Sequence, residues 1–527
     1  MIKIPEYVKN IISKLNKAGF EAYIVGGCVR DLLMVSCASS TSENKLVKKG
    51  ASEAKQKKPK DWDVTTNAKP DEILKVFSNG RYENKFGTVI VNEELGIRNK
   101  ELGIKNQGIE ITTYRSEHGY ADRRHPDKVV FEEKLEKDLE RRDFTINAMA
   151  IQMSDVRCQM SDLKNKKKCY ALCALRYAVV DLFGGEKDIK KKIIRAVGEP
   201  IDRFKEDALR MMRAIRFACQ LRFEIEPKTE RAIKKMAGGI KFVSNERIRD
   251  ELIKILKSKM AYDGIILLHK NKLLQYIMPE LEYGINIDQS RHHTYTVFKH
   301  LVLSLKYCPS KDWRVRFACL CHDIAKPQTK KFIKGIATFY NHDIIGAKIT
   351  IKIMQRLKFS QADIKKITEL IRNHMFYYNV DEVTASSVRR LIYNVGEDNL
   401  KDLIDLRVAD RLGSGVPKAK PYKLRHLEYM MKKVRKDPLS VKMLKINGDD
   451  LIKLLNIKPS PKIGAILDVL LSKIIEDSKL NNKKYLEKKS KELNNLELEE
   501  LRYKAKEKIE EKKMEDDKEL KKKFWVK

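Results

Sequence analysis

The chain has 527 residues, and its 109 lysines and arginines exceed its 73 aspartates and glutamates by enough to give a formal net charge of +36. An excess of this size favours a polyanionic partner, with nucleic acid first, although a lysine-rich proteome would also contribute to it. No stretch approaches the roughly 20 apolar residues that a membrane span requires. Nine cysteines without a CxxC pair fit a reducing compartment. We therefore expect a cytoplasmic multidomain protein with no membrane partner, and the composition leaves its oligomeric state open.

The first predicted elements are a strand, a glycine turn and a helix. The apolar run at residues 22–25 stops at Gly26 and Gly27, and a helical pattern opens at Arg30. The sequence then changes to a Ser/Lys/Ala-rich stretch in which apolar residues do not recur at a regular spacing, and this composition predicts a flexible insert. Three such low-complexity inserts are expected, at about residues 35–60, 93–108 and 154–172.

Two carboxylates one residue apart follow the first insert, in "DWDVTT". If this stretch is a strand, Asp61 and Asp63 point to the same face, because side chains alternate along a strand. Two such carboxylates would repel each other unless a cation sat between them, and Mg²⁺ is the expected cation. A pair of this kind can hold the two metal ions of a nucleotidyl transfer. By itself the DxD spacing is more often a turn or a surface pair.

The rest of the chain changes from strands to helices. "GTVIV" and "IEITTYR" alternate like strands, whereas long helical periods dominate from Glu186 onward and histidines concentrate from about residue 291. The last part alternates in charge sign, which is typical of an exposed helix, a coiled coil or a disordered tail. The expected domains are an α/β head at 1–185, a helical neck and body at 186–285, a histidine-rich helical domain at 286–415, a helical C-terminal region at 416–480 and a charged tail at 481–527.

A set of motifs carries a resemblance to a known family. They are "VGGCVRDLL", "KDWDVTTNA", "FGTVIV", "IEITTYR", "RRDFTINAMAI", "DLFGGEKDI", "DRFKEDALRMMRAIRFA" and "SNERIRDELIKIL". In this order they resemble the class II nucleotidyltransferases of the polymerase-β superfamily, the bacterial-type tRNA CCA-adding enzymes and their poly(A) polymerase relatives. The resemblance implies an α+β multidomain fold, with a polymerase-β-like head of mixed sheet and helices before an all-α neck and body.

The resemblance also implies roles for residues of the head. Asp61 and Asp63 would be the catalytic pair that holds two Mg²⁺ ions. The residues implied in nucleotide binding are Gly26, Gly27 and Arg30 for the triphosphate, Asp143 for the ribose 2′-hydroxyl, and Arg142 and Asn147 beside it. Glu110 alternates onto one face of its strand and is either a third carboxylate or a plain sheet residue.

"KEDALRMMR" predicts a reader of the nucleobase. Asp207 and Arg210 lie three apart and so are expected to share a helix face. The carboxylate can accept from an exocyclic amine while the guanidinium donates to the adjacent ring nitrogen, which suits cytosine and adenine and refuses uracil and guanine. The resemblance gives Glu206 a positioning role and Arg213 a phosphate contact. An ordinary salt bridge between the neighbouring side chains is the alternative.

The histidines and aspartates after residue 291 follow the order H…HD…H…H…D, which resembles the HD superfamily of metal-dependent phosphohydrolases. The expected ligands of a divalent transition metal are His300, His322, Asp323, His342, His374 and Asp410. "HDIAK" departs from the common "HDIGK", and we expect Ala325, in place of the glycine, to alter the turn. An HD fold kept only for packing or RNA contact is the alternative to an active hydrolase.

These patterns together predict a template-independent RNA nucleotidyltransferase with a fused HD domain. It would add C, C and A from CTP and ATP to the 3′ end of tRNA and release pyrophosphate. A poly(A) polymerase, or a half-specific A-adding or CC-adding enzyme, would share nearly every motif. An HD phosphohydrolase with an inactive head and a non-catalytic RNA-binding protein are the alternatives from other classes.

Overall fold

The fold is known from a computed structural model, which describes thirteen parts of the chain. They are residues 4–40, 59, 61–84, 87–91, 108–119, 128–153, 177–289, 294–376, 378–380, 382–383, 385–436, 444–476 and 480–526. Nearly all of the three expected inserts lies outside them.

The head is built on a mixed seven-stranded sheet in the order β3-β4-β5-β2-β1-β8-β9. The strands up to residue 181 are β1 (Ala22–Val25), β2 (Asp63–Thr66), β3 (Gly80–Asn84), β4 (Thr88–Val91), β5 (Ile109–Thr113), β6 (Arg115–His118), β7 (Lys128–Phe131), β8 (Met149–Met153) and β9 (Tyr177–Asp181). Strand β2 runs antiparallel to β1 and parallel to β5, and β6 and β7 form a separate hairpin. The alternating apolar residues of the central strands, such as Ile24, Val64 and Ile111, are fully buried.

Short helices cover the sheet. They are α1 (Glu6–Lys17), α2 (Gly27–Ser40), α3 (Pro70–Val76), α4 (Leu135–Glu140) and α5 (Gly185–Lys191), with a 3₁₀ turn at Thr145–Asn147. Helix α1 buries Val8, Ile11 and Leu15, which recur at the spacing of one helix face. The expected mixed sheet with helices is confirmed.

Two local expectations need correction. Residues 35–40 belong to helix α2 rather than to an insert, because no glycine or proline interrupts "MVSCASS". Asp61 precedes strand β2, which begins at Asp63. The alternation nevertheless extends back to it: Asp61 is exposed, Trp62 is buried and Asp63 is half-buried.

The middle of the chain is helical. Its elements are β10 (Ile193–Ile194), α6 (Pro200–Glu206), α7 (Leu209–Leu221), β11 (Glu224–Ile225), α8 (Pro227–Met236), a 3₁₀ turn (Ala237–Phe242), α9 (Asn245–Lys257), α10 (Ala261–Lys270), α11 (Leu274–Ile277) and α12 (Pro279–Glu282). Asp207 lies in the break between α6 and α7, with φ −142°, so it does not share a helix with Arg210 as the spacing predicted.

The histidine-rich part is also helical and packs onto the middle through α10 and α13. Its elements are α13 (Val297–Tyr307), α14 (Trp313–Cys321), α15 (Lys326–Thr329), β12 (Lys331–Ile333), β13 (Ile336–Thr338), α16 (His342–Arg356), α17 (Gln361–Arg372), α18 (Ala385–Val395), a 3₁₀ turn (Glu397–Asn399) and α19 (Leu400–Gly413). One hydrophobic cluster runs from the head through this part to α20 (Tyr422–Lys436).

The C-terminal region has a core of its own. Its further helices are α21 (Gly448–Leu455), α22 (Pro461–Glu476), α23 (Lys483–Leu493) and α24 (Leu498–Phe524). The charged tail expected at residues 481–527 is helical, and it buries Leu486, Leu493 and Leu501 in this second cluster. Helix α24 also packs on α20, where Leu520 and Val526 contact Tyr429. Across the described residues, no helix combines the length and apolarity that a membrane crossing needs.

Candidate active site

The glycine turn after β1 brings backbone close to charged side chains. Gly26 has φ +83°, and a Cβ there would lie 3.2 Å from Arg142 Nη1 and 3.3 Å from Asp63 Oδ2. Any larger residue would therefore be strained and crowded. Helix α2 begins at Gly27, so its first N–H groups and its positive dipole end face the same space. This is a site prepared for an anion.

Three carboxylates lie on or beside two neighbouring strands: Asp61 just before β2, Asp63 at the start of β2, and Glu110 on β5. Asp63 is in register with Val25 on one side and with Glu110 on the other. Burial raises the pKa of Asp63, Arg142 partly offsets this, and the charge of Asp61 raises the pKa further. Burial also raises the pKa of Glu110, and Asp63 adds to the effect. Carboxylate oxygens gathered in this way are the ligands that a hard divalent cation prefers.

A buried aspartate positions the two arginines of the RRD motif. Asp138 lies on α4 with a fully buried side chain. Arg141 donates to its Oδ1 at 2.6 Å and Arg142 to its Oδ2 at 3.1 Å. Burial would raise the pKa of Asp138, but the two guanidinium groups lower it. The carboxylate thus stays ionised and holds both arginines at the cavity.

Asp143 is held by hydrogen bonds from three residues. Arg213 donates to its Oδ2 at 2.7 Å, while the Phe144 N–H and the Asn147 amide donate to its Oδ1 at 2.8 and 3.1 Å. Burial would raise the pKa of Asp143, but Arg213 and Asn147 bring it to about 2. Asn147 in turn accepts from Arg30 at 2.8 Å. Asp143 is therefore an ionised acceptor at neutral pH.

Asp207 and Arg210 do not pair with each other. Arg247 on α9 donates to both carboxylate oxygens of Asp207, at 2.7 and 3.3 Å. Arg210 donates to Glu206 at 2.5 Å and to the Arg141 carbonyl at 3.1 Å. The expected alternative, a simple salt bridge between Asp207 and Arg210, is absent from the described contacts. Each side chain is oriented by a separate partner.

These elements enclose one cavity of about 570 Å³. It is lined by Gly26, Gly27, Arg30, Asp61, Asp63, Arg141, Arg142, Asp143, Asn147, Asp207, Arg210, Arg213, Arg216, Phe217 and Arg247. Of the residues with a predicted catalytic or nucleotide-binding role, Glu206 and the candidate Glu110 are missing from this lining. Glu206 contacts Arg210 at 2.5 Å. Seven arginines against four aspartates leave a net positive cavity suited to a triphosphate.

Four of the lining residues had no predicted role: Arg141, Arg216, Phe217 and Arg247. The Phe217 ring is a common platform for guanidinium groups. Arg216 lies 4.0 Å from its centroid, Arg30 5.3 Å and Arg213 5.5 Å. Cation–π contact lets these like charges approach each other. In the sequence, Arg247 was visible only as part of "SNERIRDEL", with no hint of its partner.

The histidine-rich part contains a second cluster. His300, His322, Asp323 and Asp410 form one group, and Asp323, His342 and His374 form another, with the ligand atoms of each group within 4.8 Å of one another. All six are buried. Asp323 belongs to both: Oδ2 lies 3.1 Å from His300 Nε2, and Oδ1 lies 3.2 Å from His342 Nε2.

Backbone carbonyls orient three of these imidazoles. The Nδ1 atoms of His322, His342 and His374 lie 2.9, 2.7 and 2.6 Å from the carbonyls of Cys319, Phe339 and Ile371. A proton on Nδ1 leaves Nε2 with a free lone pair, as in metal-binding histidines. The buried Nε2 atoms of His342 and His374 make no hydrogen bond with any residue that the structure describes. This donor set of imidazole nitrogens and carboxylate oxygens fits a divalent transition metal, which these residues would hold.

The residues that follow the His322-Asp323 doublet have a backbone conformation and side-chain contacts that are compatible with the cluster. Ala325 has φ −87° and ψ −7°, a conformation that any residue adopts, so this position does not require a glycine. Lys326 is buried and its Nζ lies 2.6 Å from Asp323 Oδ2 and 2.6 Å from Gln289 Oε1. Arg407 similarly contacts Asp410 at 2.7 Å.

Comparisons with known proteins address the same regions. Residues 22–195 match the poly A polymerase head domain, residues 222–285 match the probable RNA and SrmB-binding site of polymerase A, and residues 338–489 match the putative tRNA nucleotidyltransferase domain 2.

Two relatives are similar over much of their length. The A-adding tRNA nucleotidyltransferase of Deinococcus radiodurans is 34% identical over 65% of this chain and 76% of its own. The CCA-adding enzyme of Limosilactobacillus fermentum is 30% identical over 93% of this chain and 97% of its own. The fold resembles the crystal structure of the Bacillus stearothermophilus CCA-adding enzyme in complex with CTP, with a TM-score of 0.53 at 23% identity over 92% of this chain and 96% of that one.

Proposed function

Because the chain belongs to the tRNA nucleotidyltransferase family that contains the CCA-adding and A-adding enzymes, we propose that it adds C, C and A to the 3′ end of tRNA. The 3′-hydroxyl oxygen of the RNA bonds to the α-phosphorus of CTP or ATP, the bond from that phosphorus to the β-phosphate oxygen breaks, and pyrophosphate leaves. The basic surface would hold the tRNA by its phosphates and its shape.

The observation that carries this proposal is the arginine-lined cavity. It places the carboxylates of Asp61 and Asp63 and the separately oriented side chains of Asp207 and Arg210 around one space. The triphosphate would lie against the N-terminus of α2 and Arg30. A base in the remaining space would meet an acceptor and a donor, which match the amine and ring nitrogen of cytosine and adenine.

Other residues of the cavity would orient the nucleotide. Asp143 is an ionised acceptor suited to a ribose 2′-hydroxyl, with Asn147 beside it. Arg142 and Arg213 would contact phosphate oxygens, as the family resemblance implies. Glu206 holds Arg210 in place through their 2.5 Å contact.

The family uses divalent metal ions, and we assign two Mg²⁺ ions to Asp61 and Asp63, with Glu110 beside them. Burial is the main cause of the raised pKa values of Asp63 and Glu110, and neighbouring carboxylates raise them further, so a bound cation would stabilise the ionised forms. When bound, the ions would lower the pKa of the attacking hydroxyl and neutralise charge on the leaving pyrophosphate. The protein itself would supply oxygen ligands from the start of β2 and from the neighbouring strand β5.

The first test is nucleotide addition to defined tRNA ends. Purified protein with Mg²⁺ is given tRNA transcripts that end before CCA, after the first C or after CC, with each labelled nucleoside triphosphate separately. We expect C, C and then A, after which addition stops, read at single-nucleotide resolution on a gel.

Each other outcome points to a different enzyme. Addition of A alone, and only to the CC end, would make the chain an A-adding enzyme like the Deinococcus relative. Addition of C residues without A would make it a CC-adding enzyme. Long A tracts on any RNA would indicate a poly(A) polymerase. Absence of any addition would contradict the proposal.

A second activity is favoured by the buried cluster around Asp323. We propose that it binds a divalent transition-metal ion and hydrolyses phosphoesters, as the HD resemblance implies. The supporting observation is the orientation of His342 and His374. Their Nε2 atoms are buried, have no hydrogen-bond partner in the described parts of the chain, and are directed at the shared carboxylate. A metal held there would supply a hydroxide for attack on phosphorus.

We expect Asp323→Asn to lose metal binding at this cluster. Manganese, cobalt and nickel titrations should show affinity at least about 100-fold weaker, because the variant removes charge from a ligand shared by both groups. Hydrolysis of bis(p-nitrophenyl) phosphate should fall with it. His269→Gln is the matched control, since His269 is half-buried beside Glu282 and outside the cluster.

Nucleotide addition by the same proteins checks that they fold. Asp323→Asn should still extend tRNA, since the nucleotide cavity does not include it. Equal metal binding by wild type and Asp323→Asn would contradict the second activity, and would favour an HD fold kept for packing.

The cellular compartment is also part of the proposal, and it rests on membership of the same family. We place the reaction in the cytoplasm, with tRNA, CTP and ATP as partners. The described cysteines, Cys28, Cys219, Cys308, Cys319 and Cys321, are all free thiols, which is consistent with a reducing compartment.

A further inference from the structure

A β-hairpin protrudes from the histidine-rich part. Strands β12 and β13 pair antiparallel, with Phe332 opposite Ala337 and Ile333 opposite Ile336, and they have no other strand neighbours among the described residues. We define the basic hairpin as residues 330–340, which includes Tyr340 in the turn that leads to α16.

The basic hairpin exposes apolar side chains that a folded protein ordinarily covers. Phe332 and Tyr340 are each 69% exposed, and Ile333 and Ile336 are 49% and 42% exposed. Only Ala337 of this segment is buried. Such a concentration of large apolar groups on a short hairpin is typical of a contact surface.

The charge of this segment is uniformly positive. Residues 330–340 contain three lysines, Lys330, Lys331 and Lys334, and no aspartate or glutamate. Lys331 and Lys334 are exposed. The Lys330 ammonium lies 5.5 Å from the centroid of the Phe332 ring, which keeps a cation beside the aromatic face. An occupant of this surface is therefore anionic and carries flat groups.

We propose that the basic hairpin binds single-stranded RNA, with bases stacked on Phe332 and Tyr340 and phosphates against Lys331 and Lys334. Alternation of aromatic faces and cations is how proteins hold single strands without reading sequence. Duplex RNA fits less well, since its bases are already stacked on one another and have no free face to offer.

The base of the hairpin connects this surface to the Asp323 cluster. Lys326 contacts Asp323 and lies 5.5 Å from the Phe339 ring centroid, and His342 follows two residues after Tyr340. RNA on the hairpin would thus lie beside the cluster. The binding proposal does not require a metal there and stands apart from nucleotide addition in the head.

The test measures binding of a fluorescent ten-nucleotide RNA to the full chain by anisotropy. Phe332→Ala combined with Tyr340→Ala should weaken binding by about tenfold or more, as expected for the loss of stacking on two rings. Tyr393→Ala combined with Tyr503→Ala is the matched control, because these tyrosines are 87% and 74% exposed elsewhere. The control pair should leave the Kd unchanged.

Salt dependence tests the lysines. Lys331→Ala combined with Lys334→Ala should reduce the slope of log Kd against log salt concentration by about 1.4, since each phosphate contact on a single strand contributes about 0.7. Lys518→Ala combined with Lys522→Ala, two exposed lysines of α24, should not change it.

A direct contact measurement separates the hairpin from the RNA site of the head. A photoreactive benzoylphenylalanine at position 332 should crosslink to the RNA, and one at position 393 should not. Absence of crosslinking at 332, or equal losses in the aromatic and control pairs, would overturn the proposal. Self-association that disappears in the Phe332/Tyr340 variant, with RNA binding unchanged, would instead make the hairpin a contact between copies and equally overturn it. Retained tRNA extension by each variant confirms that it folds.

Discussion

Replacement of Asp63 by asparagine is expected to reduce nucleotide addition by about 10³-fold or more. The reason is that the carboxylate would hold metal against the reacting phosphate, an interaction of several kcal/mol, and each 1.4 kcal/mol is a factor of ten in rate. Asp61→Asn should have a similar effect. Single-turnover extension of a tRNA that ends in CC, with ATP in excess, gives the rate of one addition without product release.

The matched control is Asp71→Asn. Asp71 is exposed in the first turn of α3 and lies outside the cavity. Its replacement therefore removes one negative charge, as Asp63→Asn does, from a position outside the proposed site. It should leave the rate within about twofold, because surface substitutions change little. A comparable loss in the control, or a rate for Asp63→Asn near that of wild type, would contradict the role given to the pair.

Glu110 can be tested in the same assay. It lies opposite Asp63 in the parallel register of β2 and β5, and its pKa is raised by burial and by Asp63. If it is a third metal ligand, Glu110→Gln should approach the loss seen for Asp63→Asn. If it is a plain sheet residue, the rate should stay near that of wild type. This separates the two roles that the sequence left open.

The fold of the head could be predicted because its signals are local. The alternating apolar residues of "GTVIV" and "IEITTYR" depend on neighbours one and two residues away, and the glycine turn marks its own position. The start of the first insert was predicted too early in the chain. Residues 35–40 have no strong helix breaker, so α2 continues through a stretch whose composition looked irregular.

The nucleotide cavity was less predictable because its side chains pair over long sequence distances. Asp207 and Arg210 were assigned to one helix face by spacing alone. Helix α6 in fact ends before Asp207, and α7 begins after it. Arg247 approaches that carboxylate from α9, forty positions later. Which of many arginines reaches a given aspartate depends on how α7 and α9 pack, and no local pattern records this.

The histidine cluster was also only partly predictable from the sequence. The order of the six residues predicted a common site, and the structure places them in two adjoining groups. That Asp323 belongs to both groups could not be read from the order. Nor could the backbone carbonyls that orient the imidazoles, since their positions depend on where α14 and α17 end.

Replacement of Asp207 by alanine is expected to reduce the use of CTP and ATP and to remove most of the discrimination against UTP. The carboxylate is the acceptor that an exocyclic amine needs, and an amine that is buried without a partner costs about 1 to 3 kcal/mol. The kcat/KM for CTP and ATP should therefore fall about 10- to 100-fold. UTP has a carbonyl at this position and should lose less, so the ratio of CTP to UTP use falls.

The control for charge is Asp202→Ala. Asp202 lies on α6 near Glu206, is well exposed and contacts only Lys205 among the described ion pairs. Its replacement should leave the kcat/KM of all four nucleotides within about twofold. The measurement is single-nucleotide addition to a tRNA that ends before CCA for CTP, UTP and GTP, and to one that ends in CC for ATP.

Arg247→Met distinguishes a base reader from a structural ion pair. If Asp207 serves only to hold Arg247 and thereby α7 against α9, the two single variants should lose activity equally and both should keep the wild-type ratio of CTP to UTP. If Asp207 accepts from the base, Arg247→Met leaves that acceptor in the cavity, though less firmly oriented by its 2.7 Å contact. Its activity should then fall while its preference for CTP persists, whereas Asp207→Ala loses the preference itself. The ratio, rather than the rate, therefore decides whether this carboxylate selects the nucleotide.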